Sequence, residues 1–290
     1  MPRRCTFIVN PLSGGFSSSR VWEATTTLAR NGFVPDVREV TGPEEAFLCA
    51  RRICRHEEHP LIIVGGGDGT VNCVVNGLSP GAATIGVIPF GTSNVLAREM
   101  GITSPSHALE KIVAGVSRPV SVGRIEKDGN GRIFLLMAGV GYDGAVVEGV
   151  RTREKRALRT GAYLLSALRL LPVWDRERLH VVADSRPVDC HTVVVCNAAK
   201  YGGDFLVAPG ASLFHPGFQV VCVVSGTRTA FLRLVCRILS RKGAAGPGVE
   251  IFPARDVEIR GTKPLQSDGD FYCRAPVAIR AVPDFMRLIV

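Results

Sequence analysis

Along the first third of the chain, short apolar runs alternate with segments whose apolar residues recur at helical spacing. Thr6 to Asn10 reads as a strand, the amphipathic stretch Val21 to Arg30 as a helix, and Phe33 to Val40 as a second strand. The rhythm continues with a helix over Pro43 to Arg55 and a fully apolar strand at Leu61-Ile62-Ile63-Val64. Beyond it come a helix over Val71 to Leu78, a strand over Thr84 to Ile88, and helices near Ser93 to Met100 and Ser106 to Gly115. Strands that are apolar on both faces and alternate with helices predict a parallel sheet.

From about Val120 the texture changes to longer β-branched segments: Pro119 to Lys127, Ile133 to Gly139, Leu179 to Ala183, Val188 to Asn197, Phe218 to Val224 and Val249 to Ile259. They predict a largely antiparallel second domain, interrupted by helices at Arg153 to Leu171 and Thr229 to Arg241. The boundaries that follow are 1–120 for the first domain and 121–282 for the second. There is no internal repeat and no low-complexity tract.

Composition narrows the class. The 290 residues, 46% of them hydrophobic, suffice for two cores. Lys and Arg number 35 against 26 Asp and Glu, a net charge of +9 that favours an anionic partner: nucleotide, nucleic acid or acidic membrane. No nucleic-acid recognition motif of the usual kinds occurs, and only 7% of residues are aromatic. Nine cysteines, an odd number with no CxxC pair, predict reduced, buried thiols in an intracellular protein. The apolar run near the N-terminus is too short for a secretory signal, and none approaches the roughly 18–20 residues of a membrane span. A cytosolic chain that meets membranes only from their surface is expected. His56 and His59 flank two glutamates as HEEH, which is not the zinc-binding HExxH spacing.

The strongest chemical signal is Gly65-Gly66-Gly67-Asp68-Gly69-Thr70-Val71-Asn72, directly after the apolar strand and leading into a helix. Four glycines in five residues allow close backbone approach, and a helix N-terminus offers unpaired N–H groups to phosphate. A tight βα turn with Asp68 as the helix cap fits the same residues. Neither GxxxxGK[ST] nor GxGxxG is present.

The run matches the GGDGT signature of the diacylglycerol-kinase-like superfamily, which includes diacylglycerol, sphingosine and ceramide kinases, bacterial lipid kinases and, more distantly, NAD kinases. Asn10-Pro11-Leu12-Ser13-Gly14-Gly15 resembles that family's nucleotide-binding NPxSG turn, and Pro89 to Arg98 its PxGTxNxxAR element. The second domain extends the resemblance through Gly139 to Asp143, Arg159 to Tyr163, Asn197 to Gly203, Ala208 to Ala211 and Gln266-Ser267-Asp268-Gly269-Asp270. These second-domain elements favour the lipid-kinase branch over the NAD-kinase branch. The fold class implied is α/β: an N-terminal parallel-sheet nucleotide-binding domain and a C-terminal, mainly antiparallel, β-sandwich-like domain with helices, residues 283–290 returning to the first.

The resemblance implies ATP held in a cleft between the domains, Mg²⁺ on its phosphates, and transfer of the γ-phosphoryl group to a lipid hydroxyl at a membrane surface. The nucleotide contacts it implies are Asn10, Pro11, Ser13, Gly14, Thr41, Gly66, Gly67, Asp68, Gly69, Thr70, Asn72, Thr92 and Asn94. Phosphoryl transfer also asks for a carboxylate at the acceptor hydroxyl. Asp268 and Asp270 lie where the family carries DGE, with Asp268 the first candidate base and Asp270 in place of the usual Glu. An Asp-Gly hairpin tip accounts for the same residues. Asp68 and Asp143 are candidates to hold Mg²⁺ through water or orient the acceptor, or else are caps, as Thr41 is if it serves only the following helix. Phe214-His215-Pro216-Gly217 stands where bacterial relatives often carry Asp-Gly in a structural metal site, so no such site is expected. A homodimer is compatible with the resemblance.

Two basic clusters remain. One is Arg151, Arg153, Lys155, Arg156 and Arg159; the other is the amphipathic segment from Thr227 to Gly243, with five cations and no acid. The apolar face of the latter is expected to pack on its own domain, and membrane contact is the other reading. Two further functions compete with lipid phosphorylation: an NAD-kinase-like activity, and a non-catalytic nucleotide or lipid sensor.

Overall fold

The computed structural model describes residues 3–149 and 177–290. The expected helix from Arg153 to Leu171, the basic cluster Arg151 to Arg159 and the segment Arg159 to Tyr163 lie outside the described residues. The chain divides into two compact units, Met1–Ser121 with Asp284–Val290, and Val122–Pro283.

In the first unit the order is β1 (Arg3–Val9), α1 (Ser18–Arg30), β2 (Phe33–Glu39), α2 (Pro43–His56), β3 (Leu61–Gly66), α3 (Asp68–Asn76), β4 (Thr84–Pro89), α4 (Val95–Glu99) and α5 (Pro105–Ala114). The strands pair in parallel in the order β2-β1-β3-β4, and Arg287 and Leu288 of the chain's final strand extend the sheet beside β4. Helix α1 packs on α5 and α2 on α3, so the sheet is covered on both faces. Phe7, Ile8, Ile62, Ile63, Ile85 and Ile88 are fully buried in it, each contributing about 1.5–3 kcal/mol of transfer free energy.

Local chemistry sets the helix ends. Ser17 caps α1 by accepting from the Arg20 N–H, and Ser104 caps α5 by accepting from the His107 N–H. Pro43 and Pro105 occupy first-turn positions where no N–H is needed. The glycine run is shorter as a loop than its composition suggests. Pairing with Ile88 and Pro89 carries β3 through Gly65 and Gly66, and α3 starts at Asp68, earlier than the expected Val71.

The second unit holds β5 (Ser117–Lys127), β6 (Asn130–Phe134), β7 (Met137–Val140), α6 (Tyr142–Glu148), β8 (Leu179–Ala183), β9 (Arg186–Cys190), β10 (Thr192–Cys196), β11 (Lys200–Tyr201) and β12 (Phe205–Leu206). It continues with β13 (Phe218–Val223), a helix here numbered α7 (Arg228–Leu239), β14 (Val249–Ala254), β15 (Asp256–Arg260), β16 (Pro264–Ser267), β17 (Asp270–Arg274) and β18 (Val277–Ile289). One sheet runs β14-β13-β10-β7-β16-β17, antiparallel throughout. The other contains β18-β15-β8-β9, with β5 pairing both β18 and β6. Between the sheets lies one apolar core, including Phe134, Val140, Val181, Val193, Phe218, Val220, Leu265 and Ile279.

Three stretches expected as single strands are each two. Ile133 to Gly139 divides into β6 and β7, Val188 to Asn197 into β9 and β10, and Val249 to Ile259 into β14 and β15. In each case the two halves belong to different sheets, and the chain crosses at a corner of one or two residues: Leu135-Leu136, His191 or Arg255. β-branched texture persists through such corners because the residues on both sides feed the same core. The packed reading of the basic segment also holds for its inner face: Phe231 and Leu234 of α7 are buried, with Val235 and Ile238 against the same cluster.

Candidate active site

The carboxyl ends of the parallel strands gather most of the expected nucleotide contacts. In the order β2-β1-β3-β4 the winding reverses between β1 and β3, where ligand crevices form in open α/β sheets. Asn10 leaves β1 there. Its backbone N–H donates to the Gly65 carbonyl, its Nδ2 to Thr70 Oγ1 at 3.0 Å, and its Oδ1 accepts from the Leu12 N–H at 2.9 Å. One side chain thus joins the Asn10 to Gly15 turn to the first turn of α3.

The Phe90 to Asn94 loop closes on the same place. The Gly15 N–H donates to the Phe90 carbonyl at 2.7 Å. Gly67 and Gly91 touch backbone to backbone: a Cβ on Gly91 would lie 2.4 Å from Gly67 Cα, so only glycine fits. Asn94, at φ +46°, accepts from the Gly91 N–H and donates to the Gly91 carbonyl, both at 2.8 Å, closing its own loop. Thr92 is exposed beside Gly14.

Asp68 is the bolt between the two loops. Its Oδ2 accepts from the Val95 N–H and its Oδ1 from the Leu96 N–H, both at 3.0 Å, capping α4 from across the site. Burial pushes its pKa up, opposed by the backbone N–H groups of Leu96 and Val95. With Asp68 turned to α4, the N-terminus of α3 has no side-chain cap. Its first-turn N–H groups, next to the exposed Gly69, offer a phosphate the contacts that a cap would otherwise make.

The remaining expected contacts fall in different settings. Pro11 and Ser13 are half-buried and Gly14 is exposed in the turn after β1. Gly66 is buried in β3. Asn72 is buried within α3, its Oδ1 accepting from Asn76 Nδ2 at 3.0 Å. Thr41 is exposed after β2, its N–H and hydroxyl both donating to Glu45 Oε2 in the first turn of α2, at 2.7 and 2.9 Å.

In the second unit Asp268 and Gly269 form the two-residue turn between β16 and β17, with φ of +49° and +86°. The Asp268 carboxylate is not open. Its Oδ2 accepts from the Leu135 N–H at 2.7 Å and its Oδ1 from the Leu136 and Met137 N–H groups at 2.8 and 3.0 Å, at the corner between β6 and β7. Asn197 Nδ2 completes that corner by donating to the Leu135 carbonyl. Asp270 begins β17 and is exposed.

Gln266, fully buried on β16, supports the turn: its Oε1 accepts from the Gly269 N–H and its Nε2 donates to Asp143 Oδ2, each at 2.7 Å. Asp143, in the first turn of α6, also accepts from the Tyr201 hydroxyl at 2.7 Å. Its carboxylate fills the space above Gly139, where a Cβ would lie 1.8 Å from Oδ2. Burial raises the Asp143 pKa, partly offset by the Tyr201 and Gln266 bonds. Gln266 and Tyr201 were not among the expected site residues. No periodicity marks them, although both stand in segments that carry the family resemblance.

Among the described residues no cluster of three or more His, Cys, Asp or Glu side chains could cage a metal ion. Asp68 and Asp143 already accept hydrogen bonds. The donor set therefore suits a Mg²⁺ carried largely by a nucleotide's phosphates, with at most one or two carboxylates added, the usual habit of that ion in kinases.

Residues 4–125 match the model of the diacylglycerol kinase catalytic domain, and residues 137–290 that of the YegS C-terminal NAD kinase beta sandwich-like domain. The chain belongs to the diacylglycerol kinase catalytic-domain family. It is 30% identical over 305 aligned residues to a Mycobacterium tuberculosis protein named diacylglycerol kinase, covering 99% of this chain and 94% of that one. A Staphylococcus aureus protein of the same name is 32% identical, over 95% of this chain and 89% of its own. A Bacillus anthracis structure titled as a diacylglycerol kinase superposes with a TM-score of 0.82 at 23% identity, covering 99% of this chain and 96% of that one, and shows the shared fold.

Proposed function

We propose that the protein transfers the γ-phosphoryl group of Mg·ATP to the hydroxyl of a diacylglycerol or a related glycerolipid or sphingoid base. The observation that carries this reading is the uncapped start of α3 held beside the Asn10 turn and the Gly91 loop by Asn10, Asp68 and the Gly67–Gly91 contact. That arrangement suits the phosphates of a nucleotide. The relatives named diacylglycerol kinase support a lipid as acceptor.

In this reading the N–H groups at the start of α3 bind phosphate oxygens, and Thr92 adds a hydroxyl donor. Mg²⁺, when bound, neutralises charge on the phosphates. Asp270 accepts the proton of the acceptor hydroxyl as its oxygen attacks phosphorus. Asp268 is passed over as the base because its carboxylate receives three backbone N–H groups, each of which would lose its acceptor if Asp268 turned toward a substrate. Gln266 and Asp143 hold the turn that presents Asp270.

The test supplies labelled ATP with diacylglycerol, ceramide, a sphingoid base and NAD in parallel. A labelled lipid is expected, and Asp270→Asn should lower its formation by roughly 10²–10⁴-fold, the usual worth of a general base. Phosphorylated NAD with no labelled lipid, or nucleotide binding without turnover, would overturn the reading.

A further inference from the structure

Helix α7 carries two apolar faces. On the inner one Phe231 and Leu234 are buried against Met137, Val221 and Val223, with the Phe231 ring 4.2 Å from that of Tyr142. On the outer one Leu232 and Leu239 are 45% and 46% exposed, with Cys236 exposed between them. Positions 232, 236 and 239 follow helical spacing, so they form one stripe that the core does not use.

Cations surround that stripe. Arg228, Arg233, Arg241 and Lys242 are exposed, and no Asp or Glu occurs anywhere from Phe205 to Val249. Arg233, Arg241 and Lys242 make no ion pair with a described residue. Elsewhere in the same unit several exposed arginines are neutralised: Arg186 with Glu250 and Arg274 with Glu148, each at 2.7 Å, and Arg280 with Glu126 and Asp256. Glu250, the acid that follows α7 in sequence, is thus engaged with Arg186.

An ordinary solvated helix face mixes both signs of charge and keeps leucine inward. Leucines beside Arg233, Arg241 and Lys242, none of them in an ion pair with a described residue, suit an interface that is anionic at its surface and apolar just beneath. We propose that the outer face of α7 seats the protein on an anionic lipid bilayer, with Leu232 and Leu239 entering the headgroup–acyl boundary and Arg233, Arg241 and Lys242 against the headgroups. The proposal does not depend on the catalytic reading, since it concerns binding alone.

The test is co-sedimentation of the full-length protein with vesicles of phosphatidylcholine, and of phosphatidylcholine with a minority of phosphatidylglycerol. Binding should be at least about tenfold stronger to the anionic vesicles and should weaken with salt. At about fivefold per cation, Arg233→Gln with Arg241→Gln should lower it about 25-fold, while Arg30→Gln on α1 leaves it unchanged. Leu232→Ser with Leu239→Ser should also reduce it, with the unfolding temperature retained because neither side chain belongs to the core. A polarity-sensitive dye on Cys236 should shift to the blue on anionic vesicles only. Equal binding to both vesicle types, or anionic binding that survives both double variants, would overturn the proposal. So would loss of self-association, without loss of vesicle binding, in the leucine variant, which would identify a second copy of the chain as the occupant.

Discussion

Two corners of the sandwich are held in the same way, and only one of them belongs to the candidate site. Asp268 opens the turn between β16 and β17; Asp184 opens the turn between β8 and β9. Each is left-handed, at φ +49° and +44°, and each is followed by a second left-handed residue, Gly269 or Ser185. The Asp268 N–H donates to the Met137 carbonyl and its carboxylate accepts from Leu135, Leu136 and Met137. The Asp184 N–H donates to the Asp256 carbonyl and its carboxylate accepts from Arg255 and Asp256. An aspartate in this pose satisfies the N–H groups freed where a chain leaves one sheet for the other.

The difference lies in what surrounds the turn. Beside Asp268 stand Gln266, Asp143 and Tyr201 in one hydrogen-bonded chain, and the exposed Asp270 follows. Beside Asp184 the residue two before the turn is Val182, and Arg186 follows. The shared part is architectural, and the unshared part is where the proposed chemistry would sit.

The largest effect that would sharpen this contrast is on turnover. Asp270→Asn should lower phosphoryl transfer by roughly 10²–10⁴-fold with little change in unfolding temperature, whereas Asp268→Asn should lower both together. An Asp268→Asn protein that melts like the parent yet is inactive would break the comparison. Next in size is Gly91→Ala, whose Cβ meets Gly67 Cα at 2.4 Å; it should separate the two loops and cost about 2–4 kcal/mol of stability as well as nucleotide affinity, read by denaturant unfolding and by nucleotide titration. Asp268→Ala strands three part-buried N–H groups and should cost about 2–4 kcal/mol. Asp184→Ala frees N–H groups that water can reach, so less than about 1 kcal/mol is expected in the same unfolding experiment.

The smallest signal is a pH dependence. Asp143 has a folded pKa raised above its ordinary 3.8 by burial, so the native state holds its proton more tightly than the unfolded chain does. Its contribution to stability is complete below that ordinary value and is lost as pH rises through the raised one. Unfolding measured across that window should show the parent losing stability relative to Asp143→Asn as pH increases. A flat difference would mean that Asp143 is not buried as a carboxyl behind Gln266.

Much of the first unit was legible because one local rule governs it. Its inner strands are apolar on both faces, and Ser17, Pro43, Ser104 and Gly115 mark helix ends that survive folding. The glycine run was legible as a place, but not in its division of labour. That Gly66 continues a strand, that Asp68 caps a helix 27 residues away and that Gly67 needs a glycine opposite are facts of pairing across space. In the second unit the alternation of β-branched residues announced strands and could not announce that three of them change sheets at a corner.

The amino-acid sequence by itself determined the two-part α/β and β-rich character, the glycine-rich turn after a buried strand, and the family to which these residues belong. Local composition and short-range periodicity carry that information. Tertiary structure alone decided which carboxylate is taken up by the corner and which is exposed. Asp268 and Asp270 stand two residues apart with the same carboxyl group, and only the corner at Leu135 to Met137, more than 130 residues earlier in the chain, occupies one of them and leaves the other exposed.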